Sequence, residues 1–275
     1  MFRSVLFASI AIVACAAQQD APATPNFRDL TIKTRVTRGL GTPMIKILWL
    51  KGARERSEER ADSPNISSSV VARITQCDQQ THIMLFDYQK TYRKDHFRVS
   101  ARPSTFVARA FGPVSGPPVT VIFESVDTDE RKMMGSYEAR RIKTTITVEP
   151  GKGATTPKGK TKVDGWYLEI PGLHCDQPPD WPPFSFAGWH VPMTSGNRDR
   201  ITFKYEGGIP LGYPVEETST EKTGGNVIVN KTELVEISDA PLQDSLFDVP
   251  TDYSPAPDLM RSGMTGISAA PPHAQ

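Results

Sequence analysis

From Asp29 onward the chain alternates. Leu30, Ile32, Thr34 and Val36 interleave with Thr31, Lys33, Arg35 and Thr37, the two-residue period of a strand with one buried face. The period returns in residues 44–58, where Ile45, Ile47 and Trp49 lead into a run of charges. That run predicts that 54–60 passes beyond the sheet and shields its edge. Further strands are predicted at 70–77, 82–88 and 92–99. The clearest pair runs from 119–127, through Thr128-Asp129-Glu130 and Gly135-Ser136-Tyr137, into 138–148. In its second member Ala139, Arg141, Lys143, Thr145 and Thr147 alternate with Arg140, Ile142, Thr144, Ile146 and Val148, so one face is charged and the other apolar and β-branched. Residues 163–171, 200–205, 213–223 and 226–237 complete the series, with Gly224-Gly225-Asn226 as a hairpin signal between the last two. Residues 241–246 read as one helical turn.

No long segment carries a helical period. Many strands, each with one apolar face, predict a mainly β protein. The expected fold is a curved antiparallel sheet forming an open half-barrel over residues 29–253, with few short helices. Two stretches interrupt it. Residues 150–162, rich in Gly, Lys and Thr, read as a mobile hairpin tip. Residues 172–199 form a long proline-rich loop carrying Trp181, Phe184, Phe186 and Trp189. Long loops inside compact domains often serve as lids or binding loops, which makes these four aromatics the candidate ligand-binding residues. The alternative is that they close one end of the barrel as core. Residues 254–275 read as a flexible tail.

The N-terminus changes the picture of where such a protein works. Met1-Phe2-Arg3 is followed by an apolar run to Ala14, then Cys15-Ala16-Ala17 and polar Gln18-Gln19-Asp20. This is the layout of a secretory signal peptide over 1–17, followed by a tether at 18–28. Ile12-Val13-Ala14-Cys15 also fits a lipobox, which makes Cys15 a lipidation candidate and implies a membrane anchor. Cleavage after Ala16 or Ala17 is the other reading. Either way the expected location is periplasmic or anchored at the outer membrane.

Charge is nearly balanced, 32 basic against 31 acidic side chains, and removing the signal takes away only Arg3. No basic stripe exists to neutralise a phosphate backbone, so nucleic acid is not an expected partner. Cys77 and Cys175 remain as an even pair, which in an oxidising compartment predicts a disulfide. His82 and His174 near them suggest a metal site, but the close ligand spacing of zinc sites is absent, and no metal or cofactor is expected. Gly159-Lys160-Thr161 lacks the first glycine of a P-loop and precedes a strand, which excludes that reading. No nucleophile elbow or zinc-protease helix occurs. His174 and His190 in the loop, and the acids Glu124, Asp127 and Asp129, are isolated candidates without a complete catalytic set.

Several short motifs resemble a known family. Lys132-Met133-Met134-Gly135-Ser136-Tyr137-Glu138-Ala139-Arg140, with Asp127-Thr128-Asp129-Glu130-Arg131 before it, is similar to a strand crossing of the periplasmic outer-membrane lipoprotein-sorting and carrier proteins. Asp164-Gly165-Trp166-Tyr167 and Leu246-Phe247-Asp248-Val249-Pro250-Thr251-Asp252-Tyr253 resemble later landmarks, with Asp252 where that family commonly has glycine. The resemblance implies an open half-barrel whose concave face holds an acyl chain or another apolar ligand. The expected function is thus a non-enzymatic envelope protein that binds lipid. A structural or protein-interaction module of the envelope is the second expectation.

Overall fold

The computed structural model describes residues 27–63, 71–97, 116–170, 173, 175, 199–207, 209, 211–223 and 225–257. Among these, thirteen strands form one sheet: β1 (Phe27–Arg38), β2 (Met44–Gly52), β3 (Arg54–Ala61), β4 (Val71–Gln76), β5 (Thr81–Phe86), β6 (Thr91–His96), β7 (Pro118–Met134), β8 (Tyr137–Pro150), β9 (Gly159–Leu168), β10 (Arg200–Glu206), β11 (Tyr213–Thr223), β12 (Asn226–Ser238) and β13 (Ser254–Pro255). Their order across the sheet is β10-β7-β8-β9-β11-β12-β1-β2-β3-β4-β5-β6-β13. Pairing is antiparallel except at the two edges, where β10 lies parallel to β7 and β13 parallel to β6. The two edge strands do not pair with each other, so the sheet is mainly β, curved and open.

Alternation decides which face each strand buries, and three apolar clusters result. On β1, Leu30 and Ile32 pack with Leu48 and Leu50 of β2 and, from strands far along the sheet, with Met134, Ala139, Leu168, Tyr213 and Val215. β7 and β2 stand six places apart in the sheet, so this shared cluster is direct evidence of the roll. A second cluster gathers Val119, Val121 and Phe123 with Ile142, Ile146, Val163, Tyr167 and Leu211. The third lies on β4 and β5, where Ala72, Ile74, Ile83 and Leu85 are covered by Phe247.

That cover comes from the C-terminal segment. A 3-10 turn at Asp244–Phe247 drops Phe247 into full burial, and Leu242, Leu246, Val249 and Tyr253 pack around it. Side chains of β3 and β4 hold it there: Gln76 Nε2 donates to the Phe247 carbonyl at 3.0 Å and Arg56 Nη1 to that of Leu246 at 2.8 Å. Lys51 Nζ donates to the Leu242 carbonyl and pairs with Asp244 at 3.0 Å. An apolar sheet face is thus buried by irregular chain carrying few apolar residues, each well placed.

The structure corrects several expectations. Residues 54–60 do not run past an edge: the chain turns at Gly52, and β3 returns as an interior strand between β2 and β4. Its charges are tolerated there because they pair locally, Arg56 with Glu58 at 2.5 Å, and its Glu55 is buried. The first residues of the segment read as a tail, Ser254 and Pro255, add to β6 as the edge strand. The expected mobile tip at 150–162 is in part β9 and in part held fast. Asp199 accepts hydrogen bonds from the backbone N–H of Thr155 and Thr156 and from both their hydroxyls, at 2.7–3.2 Å.

Candidate functional site

Strand register builds the site. On one face of the central strands, side chains of β8, β9, β11 and β12 stand opposite one another in cross-strand rows. Thr145, Lys162, Thr220 and Val229 form one row; Lys143, Asp164, Thr218 and Lys231 the next; Arg141, Trp166 and Glu216 the third. Rows of four strands are about 14 Å wide. All these residues but Val229 line a groove of 870 Å³, to which Thr144, Val163, Glu217 and Thr232 also contribute.

The groove is polar because the other face of the same strands is not. Ile142, Ile146, Val163 and Tyr167 point away from it into the second cluster, and the two-residue period leaves the charged set outward. Gly165 makes this packing possible: a Cβ there would lie 2.9 Å from Cε2 of Tyr167 and 3.0 Å from the Glu216 carbonyl. The Tyr167 hydroxyl therefore passes over Gly165 and donates to Glu217 Oε2 at 2.6 Å, with both residues buried. Burial, and then the Glu217 carboxylate, push the Tyr167 phenol well above its ordinary value.

Ion pairs order the groove wall. Arg141 holds Asp164 through two bonds of 2.8 Å and reaches Glu130 at 2.9 Å with its third nitrogen. Lys132 lies 2.9 Å from Glu216 and 5.6 Å from the centre of the Trp166 ring. Asp164 is thus committed to Arg141, which leaves Lys143 with a 3.9 Å contact to the same carboxylate. Lys162 has threonines, not carboxylates, directly opposite it on both sides. Lys143 and Lys162 thus stand on adjacent rows of the groove wall. At one end the rows give way to Trp166, which packs against the first apolar cluster with Tyr137 and Ile170.

The sequence candidates fall differently. Trp181, Phe184, Phe186 and Trp189, together with Cys15, His174 and His190, lie outside the described residues. Cys77 and Cys175 are bonded, their Cα atoms 6.0 Å apart, which ties the chain leaving β9 to the turn between β4 and β5. Asp127 is engaged by Arg131 at 2.9 Å and by the Asp129 N–H, and these bonds hold its carboxyl below the usual range. It stabilises the bulge at 128–130, in which Asp129 has φ +60°, and Glu124 projects from the opposite face. His82 and His96 sit beside Thr75 and Thr81. Among the described residues no group of three His, Cys, Asp or Glu side chains is placed to hold a metal ion.

Sequence reasoning found one wall of the groove, the charged face of β8, and missed the rest. The signal was present: Lys160, Lys162 and Asp164 alternate on β9, and Thr218, Thr220 and Lys222 on β11. Without the strand order nothing says that these faces adjoin.

No protein-family model matches the chain, and no curated protein matches it in sequence. Among solved structures it is similar to PNGF-II, with 10% identity and a TM-score of 0.34 over 86% of this chain. The chain spans 32% of the length of that protein. It is also similar to a domain named as an outer membrane lipoprotein-sorting protein of Vibrio parahaemolyticus, with 7% identity and a TM-score of 0.28 over 80% of this chain and 89% of the other. Both likenesses are too loose to transfer a ligand or an activity.

Proposed function

We propose that this is an exported, non-enzymatic protein of the cell envelope that binds an amphiphilic lipid across the groove. The observation that carries the reading is the groove's change of character along its length, from the lysine and threonine rows to Trp166. An acyl chain laid over Lys143, Lys162 and Asp164 would strip water from charges, at a cost of several kcal/mol per ion. The rows therefore suit a head group bearing negative charge, and the Trp166 end suits the start of a chain.

A titration with a fluorescent fatty-acyl phosphate tests this. The full chain binds it with a saturable signal, and Lys162→Glu weakens binding roughly tenfold or more, the worth of one charge-assisted contact. No saturable signal, or the same affinity in Lys162→Glu, overturns the reading and leaves an envelope interaction module in its place.

A further inference from the structure

Beyond one end of the groove, the structure carries an apolar tip with a basic collar. β1 ends at Arg38, which stands opposite Asn230 of β12. Residues 226–229 of β12 therefore project past β1, paired only with β11, as a hairpin about 13 Å long. Three consecutive residues of it are exposed and apolar: Val227 at 60%, Ile228 at 43% and Val229 at 46%. Beside them the turn after β1 presents Leu40, fully exposed at 107%. The two tips are joined, since Gly39 N–H donates to both the Val229 carbonyl and Asn230 Oδ1, at 3.1 Å each.

Exposed apolar residues taken singly need no explanation; four on adjoining tips do. The collar narrows what covers them. Lys160 of β9 stands directly opposite Lys222 of β11, a like-charge pair that costs stability in isolation. Arg38 and Lys231 lie at the same end, also exposed, while Glu221 is the acidic side chain in register with Ile228. An anionic surface relieves that repulsion. The geometry of the apolar residues decides the kind of surface: Val227 and Val229 point to one face of the hairpin and Ile228 to the other. A protein groove would cover one face. Immersion in an apolar medium covers both.

We infer that the Leu40 turn and the hairpin tip at Val227–Val229 dip into the interface of an anionic lipid bilayer, with Lys160, Lys222 and Arg38 at the head groups. The depth required, on the order of 5–10 Å, is within the hairpin's reach. This contact does not depend on the groove or on a lipid at Cys15.

The test uses the full chain with Cys15→Ser, which removes any acyl anchor. It sediments with vesicles of phosphatidylcholine and phosphatidylglycerol, and at least tenfold more weakly with phosphatidylcholine alone. Lys160→Glu and Lys222→Glu each lower the affinity for the anionic vesicles, by roughly fivefold or more. Leu40→Asp with Ile228→Asp abolishes binding with an unchanged circular dichroism spectrum. Ile228→Trp, which keeps the tip apolar, binds like the parent, and its emission moves to the blue on vesicles. Failure of the parent to sediment with either vesicle, equal binding by the aspartate variant, or an unshifted tryptophan overturns the inference. So does a dimer of the parent that dissociates in Ile228→Asp, because the tip would then pack on a second copy.

Discussion

The Tyr167 hydroxyl donates to Glu217 where water does not reach, so this residue links stability to pH. Burial raises the phenols of both Tyr167 and Tyr213 above the ordinary value of 10.0. Above that pH the unfolded chain releases their protons while the folded chain keeps them. The folded state then binds more protons, and stability falls as pH rises. Each tyrosine contributes a slope of about 1.4 kcal/mol per pH unit once the unfolded form ionises. Denaturant unfolding at pH 8 and pH 11 is therefore expected to show a marked loss at the higher pH. Tyr167→Phe lowers stability at pH 8 by about 2 kcal/mol, the worth of a hydrogen bond to a charged group, and flattens the alkaline slope by one proton. An unchanged slope in Tyr167→Phe would mean that the hydroxyl is not buried as described.

At the scale of elements, alternation was a reliable guide wherever a strand buries one face. The bounds read from the sequence for 213–223 are those of β11, and the two faces read on β8 are the groove wall and the second apolar cluster. The failures have physical causes. β3 carries Arg54, Glu55, Arg56, Glu58, Glu59 and Arg60, a composition that reads as edge, yet it is interior, with Arg56 paired to Glu58 within the strand and bonded to the C-terminal segment. The segment at 150–162 reads as mobile from its Gly, Lys and Thr content, yet its end is β9 and its Thr155 and Thr156 are pinned by Asp199, more than forty positions away. No local pattern announces that contact. Thr156, through its hydroxyl first, holds the Asp199 carboxyl below the usual range, so the lock contributes stability above about pH 4 and loses it as pH falls through the folded value. Asp199→Ala is expected to speed hydrogen exchange at the Thr155 and Thr156 amides and to leave β8 protected. Unchanged exchange at both amides would contradict the lock.

For the whole molecule, the Cys77–Cys175 bond joins positions 98 residues apart and closes chain that includes β5 to β9. Closing a loop of that length limits the unfolded ensemble, and replacing both cysteines by serine is expected to cost about 4 kcal/mol, read from denaturant midpoints. A cost near zero would show that the rolled sheet does not depend on the tie. The groove faces solvent between β8 and β12, and the apolar hairpin projects from one end of the same strands. We propose above all that the groove holds an amphiphile by its charged head. Native mass spectrometry of the protein isolated gently from the envelope measures this most directly. The expected result is an acidic lipid adduct on the parent and its loss in Lys162→Glu; a ligand-free mass for the parent, or the same adduct on both proteins, would overturn the proposal.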